Sequence, residues 1–339
     1  MFRLSPRLII SLALSMLVFA GLCTPSLVEW LFNYDAYSQL FTVSEIALFR
    51  LALALLGSAL LIGAGLWSAG RNTLWRKRIE KDYEDYLADP VFTSRKQGKF
   101  VRLWWMLTFF VLLGCIQTMR WSFIYHGKGV YWYDLLALEN GFWETLTAVS
   151  LMFAGGLFFV GVMKFGDDFG LKIARWPSLV LGILLVFGAG EEVSWGQHWV
   201  GFATPEFIKS INIQNEVNFH NINSAFANHL MVVFFFFYVG VLPLFARLFR
   251  EVRFVLERLN IPICPLILSP FAFVGVIMSD YGAFSDLWGN PPMKIQEGRE
   301  TLFGVIMMGV SIRFFLVWKE RYTRKRDDPP ESPDLDTTV

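Results

Sequence analysis

Long apolar stretches recur along the chain and limit what it can fold into. A helix needs about 20 mostly apolar residues to cross the hydrocarbon core of a bilayer. Only 17% of the 339 residues are charged, below the quarter that is typical of soluble domains. The sequence therefore predicts an all-α, polytopic membrane helical bundle, residues 1–322, with about eight transmembrane helices. These are expected near residues 8–28, 44–67, 102–124, 143–164, 177–196, 225–247, 262–282 and 300–318.

Two of these spans carry charged residues within the apolar stretch. Glu191 and Glu192 interrupt the fifth span, and Arg313 breaks the eighth. Charged groups in a membrane-spanning segment are costly and usually face the protein interior. The two weakest spans are therefore the ones most expected to line a polar site.

The distribution of basic residues predicts the orientation of the spans. If the N-terminus is cytoplasmic, 24 of the 30 lysines and arginines fall on the cytoplasmic side, as the positive-inside rule requires. The acidic residues divide almost evenly, which leaves the outer side strongly negative. We therefore expect both termini in the cytoplasm, with a bacterial cell inner membrane as the natural host.

The parts of the chain outside the spans predict no separate soluble domain. Residues 71–100 are basic and rich in aromatic residues, and they resemble an amphipathic helix at the cytoplasmic membrane surface. The tail 323–339 is Pro-rich and acidic, and it is predicted to be disordered. No nucleotide-binding loop or nucleic-acid-binding pattern is present, so the lipid bilayer is the expected environment and nucleic acid is not an expected partner.

The outer side concentrates titratable residues. Adjacent carboxylates at Glu191 and Glu192, at or just within the outer boundary, repel each other and lose hydration, so a cation or a base is expected nearby. The alternative is that the span ends at Gly190 and both are solvated. His198 and His220 follow the pair in the sequence.

The loop after the fifth span is predicted to be re-entrant, over residues 197–224. Its polar residues alternate with apolar ones, so an extended segment would place them on one face. In a helix, Glu216 and His220 would also share a face, four residues apart. Such a pair suits general-base chemistry or metal binding. The loop amides could instead only satisfy backbone groups.

Other helices bring charged residues to the same level. Glu144 begins the fourth span, and Arg299 and Glu300 begin the eighth. We assign candidate catalytic roles to Glu191, Glu216 and Glu300. Glu192, His198 and His220 are the candidate ligands of a divalent metal such as zinc. The candidate substrate-binding residues are Glu144, Trp195, Gln197, Asn212, Gln214, Asn218, Asn221 and Arg299.

Several short runs resemble a family of bacterial multi-span membrane proteins. These are EEVSWGQ at Glu191–Gln197, TPE at Thr204–Glu206, NIQNEVNFHN at Asn212–Asn221 and ENGFWETLT at Glu139–Thr147. Family members carry patterns like EEISWGQ, TPE, NxQxExNxHN and ExGxxExLT. The resemblance implies a multi-span helical fold and a shared polar site, but no particular activity.

A more distant similarity is to the alkaline ceramidase and adiponectin-receptor superfamily. Those helical membrane hydrolases hold zinc with histidines, including a late His-x-x-x-His pair. This chain has no histidine after His229, and its last span begins with Glu297 and Glu300 instead. The similarity therefore implies at most a reaction class.

Three functions fit these features. The first is a metal-dependent hydrolase or transferase that acts on a lipid or lipid-linked substrate from the outer face. The second is a proton-coupled transporter, because titratable residues in spans suit proton movement. The third is a membrane scaffold or assembly factor without catalysis, whose amides contact a membrane-protein partner.

The predicted orientation can be tested with single introduced cysteines. Lys128→Cys should react in intact cells with a membrane-impermeant maleimide, because residue 128 is predicted to lie outside. Lys325→Cys should react only after the membrane is opened. Labelling of Lys325→Cys in intact cells would contradict the orientation.

Overall fold

The computed structural model describes residues 95–137, 141–166, 172–209, 216–218, 230–278 and 295–327, and isolated helical positions between residues 10 and 61. Two compact units are formed, residues 1–89 with 281–286 and residues 90–280 with 287–339. In the first unit, Arg50 Nε donates a hydrogen bond to the Ala20 carbonyl at 2.9 Å. The first two predicted spans, the segment 71–94 and the residues after 327 lie largely or wholly outside the described residues.

All regular structure in the described part of the second unit is helical. Five helices are long and apolar enough to cross a membrane, as expected for a multi-pass membrane protein. They lie within α1, α3, α4, α5 and α8, and α7 is a shorter apolar helix. The helices are α1 (Arg95–Tyr125), α2 (Tyr131–Ala137), α3 (Phe142–Phe165), α4 (Trp176–Glu192), α5 (Leu230–Leu248), α6 (Arg250–Arg258), α7 (Ser269–Ile277) and α8 (Ile295–Asp327).

The helix bounds differ from the predicted spans at three places. The fifth span was expected to reach residue 196, but α4 ends at Glu192 and a 3₁₀ turn, Ser194–Gly196, follows. Within the seventh predicted span, the described α-helix is only Ser269–Ile277. Residues 261–265 have no regular secondary structure, Leu266–Leu268 is a 3₁₀ turn, and residues 279–294 are not described. Helix α8 continues to Asp327, past the predicted start of the tail at residue 323.

Helix α8 lies inside the bundle. In its most apolar stretch, 72% of the residues are buried, against 17% in α1. It packs against α1, α3 and α7. Buried polar contacts also fix its position, because the Thr147 and Thr301 hydroxyls lie 3.1 Å apart and Trp104 Nε1 donates to the Val305 carbonyl at 2.9 Å.

Side-chain contacts show the relative directions of α3, α4 and α8. Helices α3 and α8 run parallel, since Thr147 lies beside Thr301 and Gly161 beside Trp318. Helix α4 runs against α3, so that its end lies beside their starts. We call this end of the bundle the acidic end, because it carries Glu144, Glu192 and Glu297. The opposite end, called the basic end, carries Lys164, Arg175, Arg258 and Lys319.

Helix α5 contains a π-helical segment, Phe235–Val241, next to Pro243. Proline has no backbone N–H to donate to the carbonyl four residues earlier, so the regular α-helical ladder is interrupted there. The widened turn places Phe235 against Phe303 of α8, with ring centroids 5.2 Å apart. The irregular segment therefore packs against the central helix.

The outer surface of the bundle is apolar, as a lipid environment requires. Helix α4 exposes large apolar side chains at i, i+3, i+4 and i+7, which form one continuous stripe. This stripe comprises Val180, Ile183, Leu184 and Phe187. Helix α3 similarly exposes Met163, which is 85% accessible.

The contact between α3 and α4 depends on close backbone approach at glycine. A Cβ atom at Gly155 would lie 2.7 Å from the Gly182 carbonyl oxygen and 2.6 Å from Val186. At the next residue, Gly156, a Cβ atom would meet nothing within 4 Å. Small residues at a helix contact allow this approach, as is common in membranes.

These two glycines provide a matched pair of stability variants. Gly155→Ala should lower the free energy of unfolding by about 1–3 kcal/mol, because the added methyl group overlaps backbone atoms. Gly156→Ala should be neutral or slightly stabilising, because alanine favours helix. Thermal unfolding in detergent measures both, and equal stability of the two variants would contradict the packing described.

Candidate functional site

Carboxylates from three helices converge at the acidic end. Glu192 ends α4, Glu144 lies in the first turn of α3, and Glu297 and Glu300 lie in the first two turns of α8. The charges of all three other carboxylates act on Glu192, as does that of Arg299. These five residues are called the Glu192 cluster below. Sequence analysis predicted this convergence, although Glu297 was not among the assigned site residues.

Arg299 is the one basic residue of the Glu192 cluster. Its side chain is completely buried, and its guanidinium lies 3.6 Å from the Glu300 carboxylate. Arg299 Nη1 also donates to the Met278 carbonyl at the end of α7, at 3.4 Å. The arginine therefore joins the start of α8 to the end of α7 while it faces the carboxylates.

The Glu192 cluster has a formal excess of three negative charges, from four carboxylates and one guanidinium. Glu192 is only partly exposed and Glu300 has a side chain 19% exposed, so water screens these charges incompletely. Neighbouring carboxylates oppose one another's ionisation, so their charges are coupled. The cluster is thus a candidate for acid–base chemistry.

The two adjacent glutamates at the end of α4 have different surroundings. Neighbouring residues of a helix point about 100° apart, so they can face different partners. Glu191 is 6% exposed, and its Oε1 accepts a 2.7 Å hydrogen bond from Trp195 Nε1. Glu192 faces the charges of α3 and α8. The structure therefore buries Glu191, whereas the alternative reading of the sequence expected both to be solvated.

A left-handed turn follows α4. Ser194 and Trp195 have φ values of 45° and 54°, and Gly196 has 79°. Residues other than glycine adopt this conformation at a cost of about 1–2 kcal/mol each. The Trp195 ring packs on Gly190, where a Cβ atom would lie 2.9 Å from the ring, and it contacts Phe187 edge-on. Trp195 remains 44% exposed, which fits a residue at the membrane boundary.

Ser194 connects this turn to the following loop. Its hydroxyl donates to Glu216 Oε2 at 2.6 Å, and Asn218 Nδ2 donates to both Ser194 Oγ at 3.1 Å and Glu216 Oε2 at 2.9 Å. Ser194 is 2% exposed and Asn218 is 4% exposed. The Ser194 and Asn218 side chains orient the Glu216 carboxylate, as a general base would require.

Gln197 holds the same loop with both ends of its amide. Its Nε2 donates to Thr204 Oγ1 at 2.7 Å, and its Oε1 accepts from the Val217 backbone N–H at 2.7 Å. Two short helices, Gln197–Val200 and Glu206–Lys209, flank Thr204. Gln197 therefore has a clear structural role in addition to its predicted substrate-binding role.

Several predicted site residues lie outside the described residues. These are Asn212, Gln214, His220 and Asn221, together with the side chain of His198, whose backbone lies in the short helix Gln197–Val200. The predicted metal site of Glu192, His198 and His220 therefore stays a prediction. Among the residues that are described, no three His, Cys, Asp or Glu side chains are arranged to hold a metal ion.

Sequence analysis missed Ser194 and Thr204 as parts of the site. Both are small hydroxyl residues: Ser194 bonds to Glu216, 22 residues later, and Thr204 accepts from Gln197, seven residues earlier. The available signal was weak: a serine two residues after the glutamate pair that ends a helix, followed by Trp195 and Gly196. The predicted residues that the structure does bring together are Glu144, Glu192, Arg299 and Glu300 in one cluster, and Glu216 with Asn218 in another.

Comparison with known proteins gives no family assignment. No protein-family model matches the chain, and no match is found among curated proteins or solved structures. The function must therefore be inferred from the Glu192 cluster and the loop beside it.

Replacing Gln197 should release the loop at Val217. Gln197→Ala removes the acceptor of the Val217 amide, so the hydrogen exchange of that amide should accelerate by about tenfold or more. Gln197→Glu keeps an acceptor oxygen and should preserve the protection. Exchange followed by mass spectrometry on a peptide containing Val217 measures the effect.

The exposed ion pair of Lys209 with Glu206 offers the control. Lys209→Ala breaks a solvent-exposed 3.0 Å contact, which contributes little to stability. It should leave exchange at Val217 unchanged. If Gln197→Ala also leaves it unchanged, the amide contact does not hold the loop.

Proposed function

We propose that the acidic end is the active site of a membrane-embedded hydrolase or transferase that acts on a lipid or lipid-linked substrate. The observation that carries this proposal is the Glu192 cluster, in which the charges of Glu144, Glu297 and Glu300 act on Glu192, and the buried Arg299 lies 3.6 Å from Glu300. Carboxylates whose charges act on one another at the end of a membrane-spanning helix are candidates for acid–base chemistry.

The position of the cluster favours a lipid substrate. Glu192 lies at the last turn of a helix whose exposed stripe is apolar and ends at Phe187. Phe187 and Trp195 are 43% and 44% exposed and contact each other beside Glu191. A lipid headgroup at the boundary could therefore approach the carboxylates while its acyl chains stay against apolar side chains.

The proposed chemistry assigns different tasks to different carboxylates. Glu192 and Glu300, whose charges act on each other, would transfer protons to and from the reacting groups. Arg299 would pair with a phosphate or another anionic part of the substrate. Glu191 and Glu216 accept hydrogen bonds from Trp195, Ser194 and Asn218, so their oxygens are held in fixed positions.

A metal-dependent form of this reaction is part of the proposal. Glu192, His198 and His220 would hold a divalent cation such as zinc. A bound zinc ion supplies a water molecule that is ionised near neutral pH. Glu216, oriented by Ser194, would then lie in the same loop as His220, four residues away in sequence.

The membrane topology proposed for this function has eight spans, with both termini in the cytoplasm of a bacterium. The acidic end would face away from the cytoplasm, across the inner membrane. The basic residues at the other end of α3, α4 and α8 support this orientation, because basic residues favour the cytoplasmic side.

The proposed activity can be tested in liposomes. Purified protein is reconstituted with bacterial polar lipids, and the lipid composition is followed over time by mass spectrometry. Glu192→Gln should slow any conversion by at least about 100-fold, as loss of an acid–base group does. Glu206→Gln is the matched control, because Glu206 is exposed and its 3.0 Å contact is with Lys209.

Equal rates for wild type and Glu192→Gln would contradict an acid–base role for Glu192. The same preparations test the metal: elemental analysis should find about one divalent transition metal per chain, and His220→Ala should lose it. Absence of metal from an active preparation would remove the metal-dependent form and leave the acid–base form standing.

A further inference from the structure

An arginine lies on the apolar surface of α1, near the acidic end. Arg120 is exposed, and it lies within Gly98–Tyr125, the stretch of α1 that is long and apolar enough to cross a membrane. Its side chain makes no hydrogen bond or ion pair with any described residue. Charged residues in membrane-spanning segments usually face the protein interior, and Arg120 departs from that pattern.

Arg120 faces the same side of α1 as several exposed apolar side chains. Met106, Leu113 and Arg120 are spaced by seven residues, which is close to two helical turns, so they lie above one another on one face. Met106 is 50% exposed and Leu113 is 44% exposed, and Ile124, one turn after Arg120, is 51% exposed. Arg120 therefore lies on an apolar stripe of the kind that faces lipid.

Contacts with α8 and α2 place Arg120 close to the membrane boundary. Cys115 Sγ lies 4.0 Å from the Gly298 carbonyl oxygen in the first turn of α8, and Arg120 lies five residues further along α1, about 7.5 Å. The indole of Trp121, the next residue, contacts Trp132 of α2 edge-on, with ring centroids 5.0 Å apart. Tryptophan is enriched at the level of the lipid headgroups, and a long arginine side chain can extend to that level.

We propose that Arg120 binds the phosphate of a phospholipid in the leaflet at the acidic end, with an acyl chain against Leu113 and Met106. A guanidinium group forms charge-assisted hydrogen bonds with phosphate oxygens, and it can do so in the fork geometry that phosphate matches. A soluble phosphate ion would leave the apolar stripe uncovered, whereas a phospholipid covers both the stripe and the charge. The site shares no residue with the Glu192 cluster, so it stands or fails independently of the proposed reaction.

A photoreactive side chain on the stripe reports which lipid lies there. Benzoylphenylalanine replaces Leu113 in one preparation of the full chain. In another it replaces Ile183, which is 56% exposed on α4, a helix that carries no arginine. Each protein is placed in mixed detergent micelles with equal amounts of phosphatidylglycerol and diacylglycerol of identical acyl chains, and the crosslinked lipid is identified by mass spectrometry.

The ratio of crosslinked phosphatidylglycerol to diacylglycerol should be about tenfold higher at position 113 than at position 183, because only the first has a guanidinium for the phosphate. Equal ratios at the two positions would overturn the proposal. Absence of any lipid crosslink at position 113 would show that another protein surface covers the stripe, and it would overturn the proposal as well.

Removing the charge of Arg120 should remove the preference. Arg120→Gln should bring the ratio at position 113 to within about twofold of the ratio at position 183, because the charge-assisted contact is lost. Lys209→Gln is the matched control: the change in charge is the same, and Lys209 is already paired with Glu206 at 3.0 Å. The control should keep the preference, as expected for a charge at the screened surface. An unchanged ratio in Arg120→Gln, or an equal loss in both variants, would overturn the site.

Two further measurements close the remaining outcomes. If Arg120→Gln does not fold, Arg120→Met decides, and a ratio that stays about tenfold higher in that variant overturns the proposal. Inorganic phosphate at millimolar concentration should not change the ratio at position 113. Loss of the preference would show a site for soluble anions and would overturn the assignment to a phospholipid.

Discussion

The burial of α8 within the bundle determines where the polar groups at both ends can lie. Glycines and small hydroxyl residues permit this burial. A Cβ atom at Gly304, for example, would lie only 3.2 Å from the Thr147 carbonyl oxygen. Once α8 is held against α3, the first turns of both helices must meet at one level. Glu144, Glu297 and Glu300 then share that level, and α4 brings Glu192 to it from the opposite direction.

The same alternation of helix directions separates opposite charges. The acidic end carries Glu144, Glu192 and Glu297, whereas the basic end carries Lys164, Arg175, Arg258 and Lys319. The two ends of the bundle therefore differ in the sign of the charge that their helix termini carry.

Hydropathy and charge could predict the helical class and the convergence of Glu144, Glu192, Arg299 and Glu300, because helix ends at one level follow directly from alternating spans. The left-handed turn at Ser194 and Trp195 could not be predicted. It depends on contacts with Gly190, Glu191 and residues more than 20 positions away, which no local pattern contains. Hydropathy likewise extended the fifth span to residue 196, because hydropathy carries no information about the positive φ angles at Ser194, Trp195 and Gly196.

The turn after α4 also changes how the run Glu191–Gln197 should be interpreted. Most of its residues stabilise the backbone conformation of the turn and loop. Glu191 accepts a hydrogen bond from the Trp195 indole, Gly196 adopts the left-handed conformation, and Gln197 accepts a hydrogen bond from the Val217 backbone N–H. A short run of this kind can therefore be selected for shape alone. Glu192 differs, because the charges that act on it come from other helices, and folding of the turn gives no reason for its presence.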